Sequence, residues 1–136
     1  MSRTILVDRL LEFLPDPFPC IGLTRTFAEK KVNRVTIQDQ YDDPDDVNTR
    51  RLDRNWNIGR VAFFTREIFY GRKLDPIEVD SDTFNGRIYG PVVLDGYHRL
   101  CASILSSAKT IKASFSGRTD VLDYLTGKRK YPPEDL

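Results

Sequence analysis

The chain is poor in the residues that build metal-stapled or disulfide-stapled scaffolds: it has two cysteines and a single histidine in 136 residues. Cys20 and Cys101 lie far apart and fall in no metal-binding spacing. That argues against a disulfide framework and for a reduced, cytoplasmic setting, with Cys101 packed in a core. An excess of charge is also missing. The 21 Lys and Arg nearly cancel the 20 Asp and Glu, which excludes a uniformly basic surface and leaves polyanion binding to local patches. Long apolar runs are absent. The opening MSRTILVDRLLEFLPDPFP is too charged for a leader or a membrane span. There is no internal repeat, low-complexity block or linker, and the length suits one domain, residues 1–136, with one core.

What is present is an alternation of helical and extended patterns. TILVDRLLEFLPD reads as a short amphipathic helix or a strand running into one, stopped by Pro15, Pro17 and Pro19. Val32, Val35 and Ile37 alternate ahead of the acidic run Asp42-Asp43-Pro44-Asp45-Asp46, which reads as a solvated turn or, with Asp39, a cation site. Ile58, Val61, Ala62, Phe64 and Ile68 share a helical face, with Asn55 or Asn57 as cap and Gly71 at the end. PIEVDSD is a half-buried strand, and Asn85-Gly86 signals a hairpin into GPVVLD. A helix is expected from about Tyr97 to Ser107, then a strand over TIKASFSG and a helix ending at Gly127. The polar tail KRKYPPEDL is expected to fray.

The chemistry concentrates in PVVLDGYHRLCASILSSA. A strand breaks into Asp95-Gly96-Tyr97-His98-Arg99 and becomes a helix. The first turn of a helix offers unpaired N–H groups and the positive end of the macrodipole, both of which favour an anion. Gly96 allows close approach, Arg99 supplies a planar fork for phosphate oxygens, and His98 supplies a donor that is charged near or below neutrality. The combination describes a phosphate cradle. The plainer reading keeps Asp95 as an N-cap, Gly96 as a turn residue, and His98 and Arg99 as solvated side chains.

The segment Asp75–Gly127 resembles the ParB/sulfiredoxin superfamily, whose mark is a strand, a Gly-x-His-Arg turn and a helix rich in small residues. DPIEVD, VVLDGYHRLCAS, TIKASF and TDVLDYLTG follow in the family's order. The resemblance implies an α/β (α+β) fold, a small mixed sheet flanked by helices, with a nucleotide-binding core over 57–127; residues 1–56 have no assigned role. It also implies that Gly96, Tyr97, His98 and Arg99 bind nucleotide phosphates, with Arg60, Thr65 and Arg66 contributing from the preceding helix. Sulfiredoxins carry a cysteine where this chain has Tyr97, so sulfinic-acid reductase chemistry is not expected. Nor does anything after Gly127 supply the helix-turn-helix of partition proteins. The branch most similar to this short chain is that of plasmid fertility-inhibition factors, which act on conjugative transfer, bind ATP and degrade DNA.

A phosphoryl-transfer or phosphodiester site needs charge neutralisation, an oriented nucleophile and usually Mg²⁺. Arg99 and the helix N-terminus would supply the first. Asp95 would orient water or hold a divalent cation, with Glu78 and Asp80 as further candidates, and His98 would donate to phosphate or protonate a leaving oxygen. DNA would be held by Arg50, Arg51 and Arg54 beside Trp56, or by Lys128, Arg129 and Lys130 beside Tyr131, unless these are solvated helix ends. The leading expectation is therefore an ATP-binding hydrolase with Mg²⁺ or another divalent cation, with DNA and a protein of a DNA-transfer machinery as further partners. The alternatives are a non-enzymatic, nucleotide-gated interaction module and a free amino-acid kinase.

Overall fold

The computed structural model describes residues 2–32, 53–81, 83–84, 87–88 and 90–136. The backbone packs into two compact units, neither continuous in sequence: Met1–Pro15, Asp75–Gly96 and Ala108–Leu136 form the first, Asp16–Leu74 and Tyr97–Ser107 the second. The architecture is a small mixed α/β one, with a four-stranded sheet flanked by helices. No helix among the described residues is long and apolar enough to cross a membrane.

In the first unit, β1 (Ser2–Leu6) runs directly into α1 (Val7–Leu11), the second of the two readings of that stretch. β2 (Ile77–Ser81), β5 (Val92–Asp95) and β6 (Thr110–Gly117) complete a sheet of order β1-β6-β2-β5. β6 is antiparallel to β1 and parallel to β2, and β2 is antiparallel to β5. The period-2 pattern sets the faces: Ile77, Val79, Ile111 and Ala113 are buried, while Glu78, Lys112 and Ser114 are exposed. Helix α5 (Thr119–Thr126) packs Val121, Tyr124 and Leu125 inward and stops at Gly127. The Tyr124 hydroxyl donates to both Glu12 carboxylate oxygens at 2.8 and 2.6 Å, Arg9 stacks 4.4 Å over its ring, and Arg9 also donates to the carbonyl oxygens of Tyr124 and Arg129.

The hairpin expectation is corrected in its continuation. β3 (Thr83–Phe84) and β4 (Arg87–Ile88) pair antiparallel as a separate two-stranded sheet, and β5 joins β2 of the main sheet. The tail also departs from the expected fraying. Arg118 pairs with both Asp120 and Asp135, Pro133 is buried, and the Arg129 N–H donates to the Asp123 carbonyl at 2.9 Å.

The second unit is helical. A 3-10 helix (Phe18–Ile21) follows the prolines, and α2 (Arg25–Val32) starts where Thr24 Oγ1 accepts from Phe27 N. Val32 therefore ends a helix instead of opening an alternating strand. The remainder of that segment, the acidic run, Arg50 and Arg51 lie outside the described residues. Helix α3 (Arg54–Phe69) is capped by Asp53, whose carboxylate accepts from Trp56 N at 3.0 Å; neither Asn55 nor Asn57 is the cap. Gly71 follows its end at φ 70°. Helix α4 (Tyr97–Leu105) buries Leu100, Cys101, Ala102, Ser103 and Ile104 and packs against α3 and the 3-10 helix. Ile58 and Val61 of α3 and Phe18 of the 3-10 helix are likewise buried. Burying each of these large side chains stabilises the unit by roughly 1.5–3 kcal/mol before chain entropy is counted.

Candidate functional site

The strand-to-helix junction forms where expected. β5 ends at Asp95, Gly96 follows at φ 101°, and α4 starts at Tyr97. A side chain is strained at such a positive φ, so glycine is the natural residue for this turn. The division between the two compact units falls between Gly96 and Tyr97.

On the first unit's side, the register places Glu78 opposite Asp95. The next partners are Val79 and Val93, so the ladder shifts by one residue and Leu94 is the extra residue of a β-bulge. The same row continues across the sheet, since Glu78 is paired with Ser114 and Ser114 with Ser2. All four are exposed. Asp80, one row on, accepts a hydrogen bond from Ser116 Oγ at 2.7 Å. The sheet thus brings Asp95 together with Glu78 and leaves Asp80 engaged elsewhere.

On the second unit's side, His98 is held by α3. Its Nε2 lies 2.8 Å from Asn57 Oδ1, and its ring stands edge-on to Trp56 at 5.4 Å. Asn57 is almost fully buried, so its amide is a positioned group and not a solvated one. Arg99 is half-buried, and its carbonyl accepts from Ser103 Oγ at 3.0 Å. Tyr97 is half-buried; burial, and then the neighbouring Cys20, raise its phenol above the ordinary value. Cys101 is fully buried, and burial chiefly, with Cys20 and Asp16 adding, pushes its thiol far up. It is a core residue, as its apolar neighbours suggested, and an unreactive one.

The three residues of α3 implied by the resemblance do not share a face. Arg60 and Arg66 place their guanidinium groups 5.5 and 5.6 Å from the Phe63 ring, and Arg60 also lies 4.7 Å from that of Phe64. Thr65 is turned away from that stripe by the helical period, and its hydroxyl donates to Val61 O at 2.8 Å. The basic clusters are also redistributed. Arg54 stacks 3.9 Å over Phe27 while Trp56 faces His98. Arg129 is tied into the fold through its N–H and through Nε to Tyr131 O, and Lys130 lies 5.3 Å from the exposed Tyr131 ring.

Two partners escaped the sequence reading. Asn57 was visible only as a cap-type residue, and Cys20 gave no sign of lying beside Tyr97. Among the described residues no three His, Cys, Asp or Glu side chains are gathered to hold a metal ion. The opposed pair Glu78 and Asp95 would offer two carboxylate ligands to a divalent cation. The chain matches no protein-family model, no curated protein and no solved structure.

Proposed function

We propose that the Gly96–Arg99 turn binds the phosphates of a nucleotide, ATP or a relative, and that the protein hydrolyses it with a divalent cation. The observation that carries this reading is the strand, the left-handed glycine and the helix start in immediate succession, with His98 in the first turn anchored to a buried amide. Backbone N–H groups of that turn donate to phosphate oxygens, Arg99 adds a charge-assisted fork and His98 a further ring N–H donor. Glu78 and Asp95, opposed on the sheet, would hold a divalent cation, and such a cation would supply charge neutralisation. Asp95, one residue before the turn, also orients the attacking water. The resemblance of Asp75–Gly127 to the ParB/sulfiredoxin superfamily supports this reading, and it extends the proposal to a role in restraining DNA transfer with DNA as a second substrate.

A second reading is a nucleotide-gated interaction module without turnover, which would use the same turn to bind the nucleotide. Calorimetric titration of ATP with and without Mg²⁺, on the wild type and on a His98→Ala/Arg99→Ala variant, tests both. Binding lost in the folded double variant supports the cradle, and phosphate release then separates hydrolase from module. A folded wild type that binds no nucleotide overturns both.

A further inference from the structure

The stripe of α3 that carries Arg60, Phe63 and Arg66 continues into the turn that follows, and its composition is unlike the rest of the molecule. Residues 60–73 contain four basic residues against the single acid Glu67, a net +3, whereas the whole chain carries +1, so the remainder sums to −2. Three aromatic rings stand out of this basic stretch: Phe63 is 39%, Tyr70 51% and Phe69 82% exposed. Each has a cation or a ring beside it. Arg60 and Arg66 flank Phe63, Arg72 lies 5.4 Å from Tyr70, and Tyr70 meets Phe69 edge-on at 5.3 Å. Arg72 is also paired with Glu67 at 2.8 Å, which takes up the one opposing charge.

We propose that this face binds a single-stranded nucleic acid, with Phe63, Phe69 and Tyr70 as stacking platforms for unpaired bases and the arginines holding the backbone. Exposed aromatics interleaved with cations are what a single strand needs, because its bases offer open π-faces and its phosphates offer charge. A duplex hides its base faces and would gain from the arginines alone. An exposed Phe69 is costly to keep in water, and base stacking repays it. The proposal does not depend on the nucleotide reading, since Phe69 and Tyr70 take no part in the cradle.

The test is fluorescence anisotropy of labelled oligodeoxythymidine and oligouridine of about 20 nucleotides, long enough to cover such a face, at two salt concentrations. Binding of either strand that weakens with salt is expected, and the stronger of the two says whether DNA or RNA is preferred. Phe69→Ala/Tyr70→Ala should bind the strand at least about tenfold more weakly, with competition by heparin, a polyanion without bases, unchanged. Phe69→Trp keeps a stacking surface and should retain wild-type affinity, which separates stacking from any loss of fold in the double variant. ATP binding should be unaltered in both variants. The proposal is overturned if the strand does not bind, if a duplex or anionic vesicles bind as tightly, or if the folded double variant binds the strand like the wild type.

Discussion

His98 Nε2 and Asn57 Oδ1 lie 2.8 Å apart, joining the first turn of α4 to the first turns of α3 across 41 residues of sequence. The protein's one imidazole is thereby held in place by an amide that is itself almost inaccessible to water. A positioned imidazole beside a helix N-terminus is what a phosphate cradle requires, and the amide is what positions it.

Asn57→Ala removes that anchor and the 2.8 Å hydrogen bond to the His98 ring. Loss of one buried hydrogen bond should lower the unfolding free energy by about 1–2 kcal/mol, read by urea denaturation. ATP affinity should fall about three- to tenfold, as expected for about 1 kcal/mol of lost positioning. Reduced stability with unchanged ATP affinity would make the pair a packing feature only.

Glu78 and Asp95 oppose each other because the bulge at Leu94 moves Asp95 one step along the ladder. Opposed carboxylates repel, and a bound cation relieves that repulsion. Asp95→Asn and Glu78→Gln should therefore each abolish the Mg²⁺ dependence of ATP binding while leaving Mg²⁺-free binding equal or tighter. Calorimetry with and without Mg²⁺ reads this, and Mg²⁺ dependence that survives both substitutions removes these residues from the metal site.

Gly117 leaves no room for a side chain. At φ 120° its Cβ would stand 2.0 Å from Ser81 O, in the parallel pairing of Ser81 with Gly117. The same oxygen accepts from Arg118 N at 3.0 Å, so it is not free to move aside. Gly117→Ala should cost roughly 2–4 kcal/mol, from strained backbone together with a displaced ladder. Thermal and urea unfolding would show it, and a variant as stable as the wild type would contradict the close approach.

The parts legible in the sequence were those set by neighbours in the chain. Ile77 and Val79 alternate with Glu78 because the strand is buried on one face, and Gly127 ends α5 where an αL residue is needed. Long-range relations stayed hidden. Three cap-type residues, Asp53, Asn55 and Asn57, precede the same apolar stripe, and only the packed helix shows that the first is the cap and the last is buried against His98. The pairing of Glu78 with Asp95 depends on a one-residue bulge that no periodicity announces. The tail has a frayed composition, yet Arg118 holds Asp135 in place.

The Tyr124 phenol gives the fold an alkaline limit. Its hydrogen bonds to Glu12, then burial and the Glu12 charge, raise its pKa above the ordinary 10.0, with Arg9 opposing. The folded protein therefore keeps this proton at a pH where the unfolded chain releases it. The resulting stabilisation is complete below the ordinary tyrosine value and is lost as pH rises through the folded one. Tyr124→Phe retains the ring, and with it the Arg9 and Phe13 contacts at 4.4 and 6.2 Å, but not the hydroxyl. At neutral pH the variant should be less stable by roughly 1 kcal/mol, the worth of one such hydrogen bond. Urea denaturation at pH 7 and above pH 10 compares the two proteins directly: the difference should shrink toward zero at the higher pH. A difference that stays constant would mean that the hydroxyl contributes nothing through its ionisation.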